Sequence, residues 1–519
     1  MNTTEFLMIT SSIAPDRTAI VFEGKRFTFS QLNERANRFA NALMGLGVEK
    51  GDRVAILQVN CNQYVEAYFG VAKMGAIFVP LNFRAKKEEL LHMLKHSESS
   101  VLLVGERYAE MVNSMRPALP LVKHYISLDG KQKGMLDYEE LLATASGEEV
   151  FTDISDDDVT ILMYTAGTTG LPKGVPLTHN SFGIYVMENV TPADLELEET
   201  NLLTMPLYHV AGMQAVLAAI YGGRSLAMMR QFEVNEWLET VQRERANRAM
   251  LVPTMLKRVI DHPDLSKYDL SSLKVITYGA ASMPFEVIKK AIGLFPGISF
   301  INAFGQTETA STITTLGPED HIIKGTEAEK EKKLRRLTCS IGRPMSDVEM
   351  KIVDEKGNDL PPPAVGEIVA RCPRVMSGYW KDPEKTAKAI DKNGWLHTGD
   401  MGYMDEEGYF YLAGRGDDLI IRGGENISPD EVENTLYAHP AIEEAAVIGI
   451  SSEEWGQEPR AIVVLKEGKT ATAEEIMEFC RQRLASFKRP RSVVFIDELP
   501  RTSTGKVLKR VLREQYGKP

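Results

Sequence analysis

The sequence predicts an α/β protein with a large N-terminal body, made of two αβ sheet subdomains and a small β-rich subdomain, followed by a small, mobile α+β domain. Three observations support this prediction. Strand-like and helix-like patterns alternate through the first half of the chain, short extended runs separated by turns follow over residues 346–413, and a second mixed pattern begins after residue 414. The length of 519 residues corresponds to about three average domains.

The first part of the chain alternates between amphipathic helix patterns and apolar strand patterns. Ser30 is a candidate N-cap of a helix whose apolar residues recur on one face from Leu32 to Leu43. Three strand patterns and one helix pattern follow, at residues 53–57, 76–80 and 101–104 and at residues 87–96. Such alternation favours a largely parallel sheet covered by helices.

The second part of the chain changes character twice. Residues 346–413 contain short extended runs between Gly, Pro and Asp turns, as in a small β-rich subdomain. The stretch 414–418, rich in Gly and Asp, predicts a boundary between a body at residues 1–414 and a C-terminal domain at residues 415–519. In that domain Thr472 opens a capping box, which predicts the start of a helix between two strand patterns.

Composition and charge argue against several classes of protein. Hydrophobic residues at 43% and charged residues at 25% are typical of a folded globular protein. The formal net charge of −12 argues against general nucleic-acid binding. No apolar run approaches the ~18 residues that would span a bilayer, so no integral membrane segment is predicted. The start lacks a secretory signal pattern and the four cysteines are scattered without a CxxC pair, so we expect a cytoplasmic protein.

The charge is distributed unevenly along the chain. Residues 481–519 carry 11 Lys and Arg against three Asp and Glu, a local net charge of +8. This segment is either a solvated basic tail or a site for an anionic ligand, and its charge alone does not decide between the two.

The strongest local motif directly follows the apolar strand pattern at residues 159–163. Residues 164–175 read Tyr-Thr-Ala-Gly-Thr-Thr-Gly-Leu-Pro-Lys-Gly-Val. Glycines let a backbone approach a ligand closely and turn its N–H groups toward it, while threonine hydroxyls and a lysine supply further donors. The motif therefore predicts a polyphosphate site, although it is not a Walker A loop because Lys173 is followed by Gly174.

This loop resembles the signature of the adenylate-forming superfamily, which comprises acyl-CoA synthetases, carrier-loading adenylation domains and beetle luciferases. Further segments resemble superfamily motifs in the expected order, so the resemblance covers essentially the whole chain. They are residues 279–284 (Gly-Ala-Ala-Ser-Met-Pro), 302–308 (Asn-Ala-Phe-Gly-Gln-Thr-Glu), 395–400 (Trp-Leu-His-Thr-Gly-Asp), 414–418 with 423–427, and 500–506 (Pro-Arg-Thr-Ser-Thr-Gly-Lys). Singly, Asp400 could be a turn acid, Glu308 a helix cap and Lys506 an exposed lysine; their joint order favours a site.

The resemblance implies an ATP site. The residues implied to bind ATP are Thr165, Gly167, Thr168, Thr169, Gly170 and Lys173 at its phosphates, Gly279, Ala280, Ala281 and Phe304 at its adenine, and Asp400 and Arg415 at its ribose. Thr307 would contact the α-phosphate and Glu308 would ligate Mg²⁺, a hard cation that prefers oxygen. Lys506 would supply positive charge where the carboxylate meets the α-phosphate. Ala166 departs from the serine most often found in the family, which removes one hydroxyl donor.

The resemblance also implies CoA as the acyl acceptor, which would give the basic C-terminal segment an anionic ligand. The residues implied to contact CoA are Phe487, Arg489 and Arg491 at its nucleotide, and Gly423, Gly424 and Trp455 along its pantetheine arm. In the superfamily the small domain swings about a hinge between the two half-reactions, and the hinge position matches Asp417.

The acid is less well defined than the nucleotide. Residues 206–212 resemble the acyl-pocket segment of fatty-acid and aryl-CoA ligases, where His209 is a candidate pocket wall or gate, with a buried structural histidine as the alternative. The small residues Gly279, Ala303 and Gly305 are expected to leave space for an apolar tail or ring. We therefore expect a medium-chain, alicyclic or aromatic carboxylic acid.

Two other functions stay open at this stage. The first is a free-standing ligase that adenylates an acid and loads it onto a carrier protein, since an absent carrier domain does not exclude a separate partner. The second is a nucleotide-binding sensor without catalysis, against which the presence of Lys506, Glu308 and Asp400 argues. The oligomeric state is also open, with a homodimer as one candidate.

Overall fold

The structure of the protein, a computed structural model, describes residues 1–165, 171–415, 418–422, 425–452, 454–501 and 507–518. Within these residues the chain forms the predicted α/β fold, with two large sheets in the body and a smaller sheet in the C-terminal region. The C-terminal elements begin at Ile420.

The first part of the body supplies six helices and nine strands among the described residues. In chain order they are α1 (Thr3–Ile13), β1 (Thr18–Phe22), β2 (Lys25–Thr28), α2 (Phe29–Gly45), β3 (Arg53–Leu57), α3 (Asn62–Lys73), β4 (Ile77–Pro80), α4 (Lys87–Ser97), β5 (Val101–Val104), α5 (Ala109–Met115), β6 (His124–Ser127), β7 (Leu136–Asp137), α6 (Tyr138–Thr144), β8 (Val159–Thr165) and β9 (Lys173–Thr178).

The rest of the body continues the alternation and then becomes rich in strands. Its elements are α7 (His179–Asn189), β10 (Thr200–Leu203), α8 (Val210–Tyr221), β11 (Ser225–Met228), α9 (Val234–Glu244), β12 (Arg248–Leu251), α10 (Pro253–Ile260), β13 (Val275–Gly279), α11 (Phe285–Leu294), β14 (Ser299–Gln306), β15 (Ser311–Leu316), α12 (Glu327–Cys339), β16 (Ser340–Pro344), β17 (Glu349–Val353), β18 (Gly366–Arg371), α13 (Pro383–Ala389), β19 (Leu396–Met404) and β20 (Phe410–Arg415).

The C-terminal region is built from short elements of both kinds. They are β21 (Ile420–Arg422), β22 (Glu425–Ile427), α14 (Pro429–Tyr437), β23 (Ile442–Ser452), β24 (Gly456–Leu465), α15 (Ala473–Arg481), β25 (Ser492–Phe495) and α16 (Lys509–Tyr516).

The smaller sheet of the body has seven strands in the order β7-β6-β5-β3-β4-β8-β9. All its neighbours are parallel except β8 and β9, which form an antiparallel pair. Inner strands such as Val101–Val104 are buried along their whole length, as expected when helices cover both faces of a parallel sheet. The phosphate-loop motif lies at the carboxyl end of β8, beyond the parallel part of this sheet.

The larger sheet has 13 strands, in the order β17-β18-β19-β20-β16-β15-β14-β13-β12-β10-β11-β1-β2. Its parallel centre runs from β14 to β1, and from β14 to β17 the neighbours are antiparallel. The predicted β-rich subdomain is therefore present, and it is joined edge to edge to the larger αβ sheet through β15 and β16.

One hydrophobic core joins the two sheets of the body. It contains buried side chains of α1, α2, α3 and α8 together with strands of both sheets, such as Ile56 of β3 and Leu226 of β11. Burial of one such side chain contributes about 1.5–3 kcal/mol. Because both sheets contribute to the same core, we expect them to unfold together.

The C-terminal region has hydrophobic cores of its own. Two clusters, one around Leu436 and one that includes Leu512, contain only residues from Ile420 onward. Polar contacts connect α14 and β23 to the body. Asn434 accepts a hydrogen bond from the backbone N–H of Phe285 at 3.3 Å and donates one to a carbonyl oxygen of α12 at 3.2 Å, while Glu443 forms an ion pair with α10.

Most of the local predictions from sequence are confirmed, and one is wrong. The strand patterns in both parts of the chain form strands, and Thr472 caps α15 in a capping box with Glu475. Ser30 is not an N-cap, since α2 begins one residue earlier and its cap is Thr28, paired with Gln31 in a capping box. Among the described residues, every helix is too short or too polar to cross a membrane.

Candidate active site

The predicted phosphate loop connects two paired strands at the edge of the seven-stranded sheet. β8 ends at Thr165 and β9 begins at Lys173, and these two residues face each other across the antiparallel ladder. The ladder therefore fixes the distance between the two stems of the loop. Five loop residues lie outside the described part of the chain, and they include Gly167, Thr168, Thr169 and Gly170 with the family departure Ala166.

Lys173 and Glu308 are linked by a tyrosine. The Lys173 ammonium lies 4.8 Å from the ring centroid of Tyr379, within the range of a cation–π contact. The hydroxyl of the same ring donates a hydrogen bond of 2.9 Å to Oε1 of Glu308. The structure thus brings the predicted phosphate contact and the predicted metal ligand to one tyrosine, with Lys173 at its ring and Glu308 at its hydroxyl. Tyr379 was not predicted, and its only signal in the sequence is the aromatic pair that follows Gly378.

Thr307 and Glu308 lie in a short 3-10 turn between β14 and β15, and both are half-buried. The turn is held to the chain before Tyr379, because the backbone N–H of Met376 donates to the Glu308 carbonyl at 2.8 Å. Within the described residues Glu308 forms no ion pair, and no three His, Cys, Asp or Glu side chains cluster as a metal site. A single unpaired carboxylate fits Mg²⁺, which commonly binds one or two carboxylates together with substrate phosphates and water.

The adenine-side residues follow the carboxyl end of β13. Gly279 ends this strand, and a Cβ there would collide with the carbonyl oxygen of Ala303 on β14. A Cβ on Gly305 would collide in the same way with the carbonyl oxygen of Ser311. The space beside these two glycines is therefore filled by neighbouring backbone, which corrects the expectation that they leave room for the acid.

The remaining adenine-side residues are partly or fully exposed. Ala280 adopts a left-handed backbone conformation with φ of 66°, and Ala281 is exposed. Phe304 is half-buried and packs against apolar side chains of the β-rich subdomain. A partly exposed ring held from behind is a suitable stacking surface for an adenine.

The predicted ribose contact, Asp400, lies in β19 and is only 6% exposed. Its Oδ2 accepts a hydrogen bond of 3.0 Å from Nε2 of Gln306, which also donates to the carbonyl of Thr398 at 2.8 Å. The backbones of Asp400 and Arg415 are partners across the β19–β20 ladder. Gln306 was missed from sequence because its partner is 94 positions away.

His209 lies at the N-cap position of α8 and is half-buried. Its ring is 5.4 Å from that of Tyr208, which meets Phe83 edge-on at 5.3 Å. His209 is therefore part of an aromatic group at the start of a helix, a position that suits the wall or gate of an acyl pocket.

The described C-terminal residues predicted to serve CoA are half-buried or exposed. Trp455 is 39% exposed and stacks on the guanidinium of Arg422, 4.7 Å from the ring centroid. Phe487 is half-buried, while Arg491 is exposed. Nε of Arg489 donates to the Leu484 carbonyl at 2.9 Å. Gly423, Gly424, the hinge position Asp417 and Lys506 lie outside the described residues.

Comparison with known proteins identifies the family. The model of the AMP-binding enzymes matches residues 10–380, and the model of the AMP-binding enzyme C-terminal domain matches residues 431–506. The chain belongs to this adenylate-forming family of AMP-binding enzymes. Matches to both models in their order along the chain agree with the sequence motifs and with the fold.

Three relatives of this AMP-binding enzyme align along nearly its whole length. A feruloyl-CoA synthase from Amycolatopsis sp is 36% identical over 506 residues, 97% of each chain. A fatty acid–[acyl-carrier-protein] ligase from Streptomyces coeruleorubidus is 33% identical and covers 97% of this chain and 94% of its own. The crystal structure of an anthranilate CoA ligase in complex with anthranoyl-AMP superposes with a TM-score of 0.90 at 28% identity, covering 100% of this chain and 97% of the other.

Proposed function

We propose that this AMP-binding enzyme is an acyl-CoA synthetase for an aromatic or similarly apolar carboxylic acid, and that it releases acyl-CoA, AMP and pyrophosphate. The observation that carries the proposal is a continuous series of contacts. Lys173 contacts Tyr379, Tyr379 donates to Glu308, and two residues before Glu308 the side chain of Gln306 donates to Asp400. Groups suited to phosphate, metal and ribose thus follow each other in the order in which ATP presents those parts.

In the first half-reaction a carboxylate oxygen attacks the α-phosphorus of ATP. The new O–P bond gives acyl-AMP, and the bond from the α-phosphorus to the β-phosphate oxygen breaks, so pyrophosphate leaves. Both reactants are anionic, and catalysis therefore depends on positioning and on neutralising charge. We assign Lys173 and the loop threonines to the leaving phosphates, Thr307 to the α-phosphate and Lys506 to the reacting oxygens. Mg²⁺, held by Glu308, would neutralise charge on the phosphates.

In the second half-reaction the deprotonated thiol of CoA attacks the acyl carbonyl. A C–S bond forms, the C–O bond to AMP breaks, and AMP leaves. We assign the body to residues 1–414 and the mobile domain to residues 415–519, with the hinge near Asp417. Separate hydrophobic cores on the two sides support this division, because a domain can move as a unit only if it is packed internally.

Two observations support an aromatic acid as the substrate. The feruloyl-CoA synthase and the anthranilate CoA ligase act, by their names, on aromatic acids. In this chain Phe83, Tyr208 and His209 form an aromatic group at the segment that resembles an acyl pocket. Aromatic side chains interact favourably with a ring in edge-on or offset arrangements.

One relative supports the alternative acceptor. The fatty acid–[acyl-carrier-protein] ligase is almost as similar as the CoA synthase, so the choice of thiol depends on the C-terminal surface. Phe487 beside Lys488, Arg489 and Arg491 offers a ring and cations to a nucleotide. Lys488 already forms an ion pair with Glu431, so we assign the nucleotide contacts to Phe487, Arg489 and Arg491.

The proposal is tested by measuring product formation with purified protein, ATP, Mg²⁺ and a panel of short, medium-chain, alicyclic, branched and aromatic acids. Each acid is offered once with CoA and once with holo-carrier proteins. We expect acyl-CoA with at least one aromatic or apolar acid, accompanied by AMP and pyrophosphate. Thioester on carriers alone would favour the carrier-loading function. Absence of acid-dependent pyrophosphate exchange across the panel would favour the non-catalytic sensor.

A further inference from the structure

Two histidines of α4 contact the stems of the phosphate loop, which are the described residues on either side of positions 166–170. His92 and His96 are one helical turn apart and share a face of the helix. Their rings are stacked, with centroids 5.3 Å apart and planes inclined by 16°. Neither residue lies in one of the segments that resemble motifs of the adenylate-forming superfamily.

Each histidine contacts a different stem of the loop. Nδ1 of His96 lies 3.0 Å from the hydroxyl of Tyr164, the last residue but one of β8. Nε2 of His92 lies 3.0 Å from the carbonyl oxygen of Pro172, the residue directly before β9. A carbonyl oxygen can only accept, so Nε2 of His92 carries the hydrogen. One helix face thus holds both sides of the loop.

Further hydrogen bonds fix the same stems. The Tyr164 hydroxyl donates to the Met93 carbonyl of α4 at 3.2 Å, and burial raises the pKa of this tyrosine, so its hydroxyl keeps its proton at neutral pH. On the other stem, the backbone N–H of Trp380 donates to the Gly174 carbonyl at 2.8 Å. The stems are therefore held by four hydrogen bonds at three residues, Tyr164, Pro172 and Gly174.

The second stem borders a cavity on the side of the histidines. A cavity of about 540 Å³ lies between the histidines, the second stem and the segment from Tyr379 to Lys385. Its charged lining groups are Lys173, Asp382 and Lys385, the last two of which pair with each other. Burial, followed by the neighbouring His92 and Lys381, lowers the pKa of His96, which is therefore neutral at pH 7.

We propose that His92 and His96 are positioning residues that hold the two stems of the phosphate loop in the conformation that binds the phosphates of ATP. A glycine-rich loop loses much conformational entropy when it becomes ordered. Stems that are fixed before ATP arrives reduce this loss at the moment of binding. The inference rests on the proposed function only through ATP, and it does not depend on which acid is used.

The test uses substitutions that separate the hydrogen bond from the volume of the ring. His96→Leu and His92→Leu remove the contacts. His96→Asn keeps a polar group near the position of Nδ1, and His92→Gln keeps a donor near the position of Nε2. ATP binding is measured by isothermal titration calorimetry without acid, and KM values for ATP, pyrophosphate, acid and CoA are measured by pyrophosphate exchange and by acyl-CoA formation.

We expect each Leu variant to weaken ATP binding and to raise the KM for ATP and pyrophosphate by about tenfold, which corresponds to the loss of one hydrogen bond. The kcat and the KM for acid and CoA should change less than about threefold. The Asn and Gln variants should recover most of the loss. Tyr164→Phe should weaken ATP binding at least as much as His96→Leu, because it also removes the hydrogen bond to the Met93 carbonyl. The double variant should be no worse than Tyr164→Phe alone, because the His96 contact is already lost in that variant.

Three results would overturn the inference: unchanged ATP affinity in both Leu variants, equal losses for all substrates with a lowered melting temperature, or additive effects of His96→Leu and Tyr164→Phe. Circular dichroism on each variant separates a folding defect from a local one. If the unmodified protein itself binds no ATP, the proposed function fails instead. If the unmodified protein binds ATP and the variants bind it equally well, the proposed role of the histidines is wrong and the proposed function is not affected.

Discussion

The body and the C-terminal domain of this AMP-binding enzyme are built in different ways. The body joins a sheet of seven strands and a sheet of 13 strands through one common hydrophobic core. The C-terminal domain has its own sheet and its own cores, and polar contacts such as those of Asn434 connect it to the body.

The body and the C-terminal domain are therefore proposed to contribute different kinds of functional residue. In the body, strand ladders and hydrogen bonds position the described groups of the proposed nucleotide site, which are Lys173, Tyr379, Glu308, Gln306 and Asp400. The residues proposed to complete each half-reaction come from the other domain and can be exchanged by rotation of that domain. Two successive reactions on one nucleotide require that the nucleotide stays in place while a second domain supplies a different group to each reaction.

The largest effect on stability is expected from substitutions in the hydrophobic cores, because each domain has a core of its own. Leu436→Ala should lower the stability of the C-terminal domain by about 2–5 kcal/mol, because this side chain is fully buried there. The matched control is Leu226→Ala in the body core. Calorimetry should show that each substitution shifts a different unfolding transition, and Leu436→Ala should keep ATP binding. A single transition that shifts equally in both variants would contradict separate domains.

A lower pH is expected to destabilise the body, by a smaller free energy than the core substitutions. Burial lowers the pKa of His179 to about 4, and Nδ1 of this residue accepts a hydrogen bond from the backbone N–H of Thr3 at 3.2 Å. The unfolded chain binds a proton at about pH 6.5, so the contribution of neutral His179 is complete above that pH and is lost as the pH falls toward 4. His179 should therefore lower the free energy of unfolding of the body by about 2 kcal/mol between pH 7.5 and pH 5.

The His179 prediction is checked by chemical denaturation across this pH range. His179→Asn keeps a polar group at the contact but does not titrate, so the difference between the two proteins isolates the histidine. An equal pH dependence in the variant would mean that another group controls the acid sensitivity of the body.

The smallest predicted effect concerns CoA. Arg489→Ala should raise the KM for CoA about tenfold, as expected for the loss of one charged contact to the nucleotide. Arg481→Ala is a control of equal charge in the same segment, and its side chain is 65% exposed. Pyrophosphate exchange should stay unchanged in both variants. If Arg489→Ala reduces exchange as strongly as CoA use, the basic segment serves ATP or the fold.

The features that could be predicted from the sequence are local or follow fixed spacing. Apolar strands, the capping box of Thr472 and the order of the motifs depend on neighbouring residues, and the structure has the same elements at those positions. The N-cap of α2 is Thr28, two residues before the predicted Ser30, because polar residues that lie close together are all candidates for the cap of one helix.

The missed features depend on contacts that are distant along the chain. Tyr379 reaches Glu308 across 71 positions, and no periodicity reports such a pair. Gly279 and Gly305 look like open space in a sequence, whereas the paired strands place backbone oxygens there. Which atoms fill the space beside a glycine depends on sheet register, which local patterns do not determine.

The central claim is that the body forms the adenylate while the C-terminal domain supplies a different group to each half-reaction. The most direct measurement compares the two half-reactions in Lys506→Ala, with Arg510→Ala as a control that removes an exposed cation four residues away. We predict that acyl-AMP formation falls by about 10²–10³-fold in Lys506→Ala, while thioester formation from supplied acyl-AMP changes little, and that both rates stay near normal in the control. Equal losses in the two half-reactions of Lys506→Ala would contradict the account.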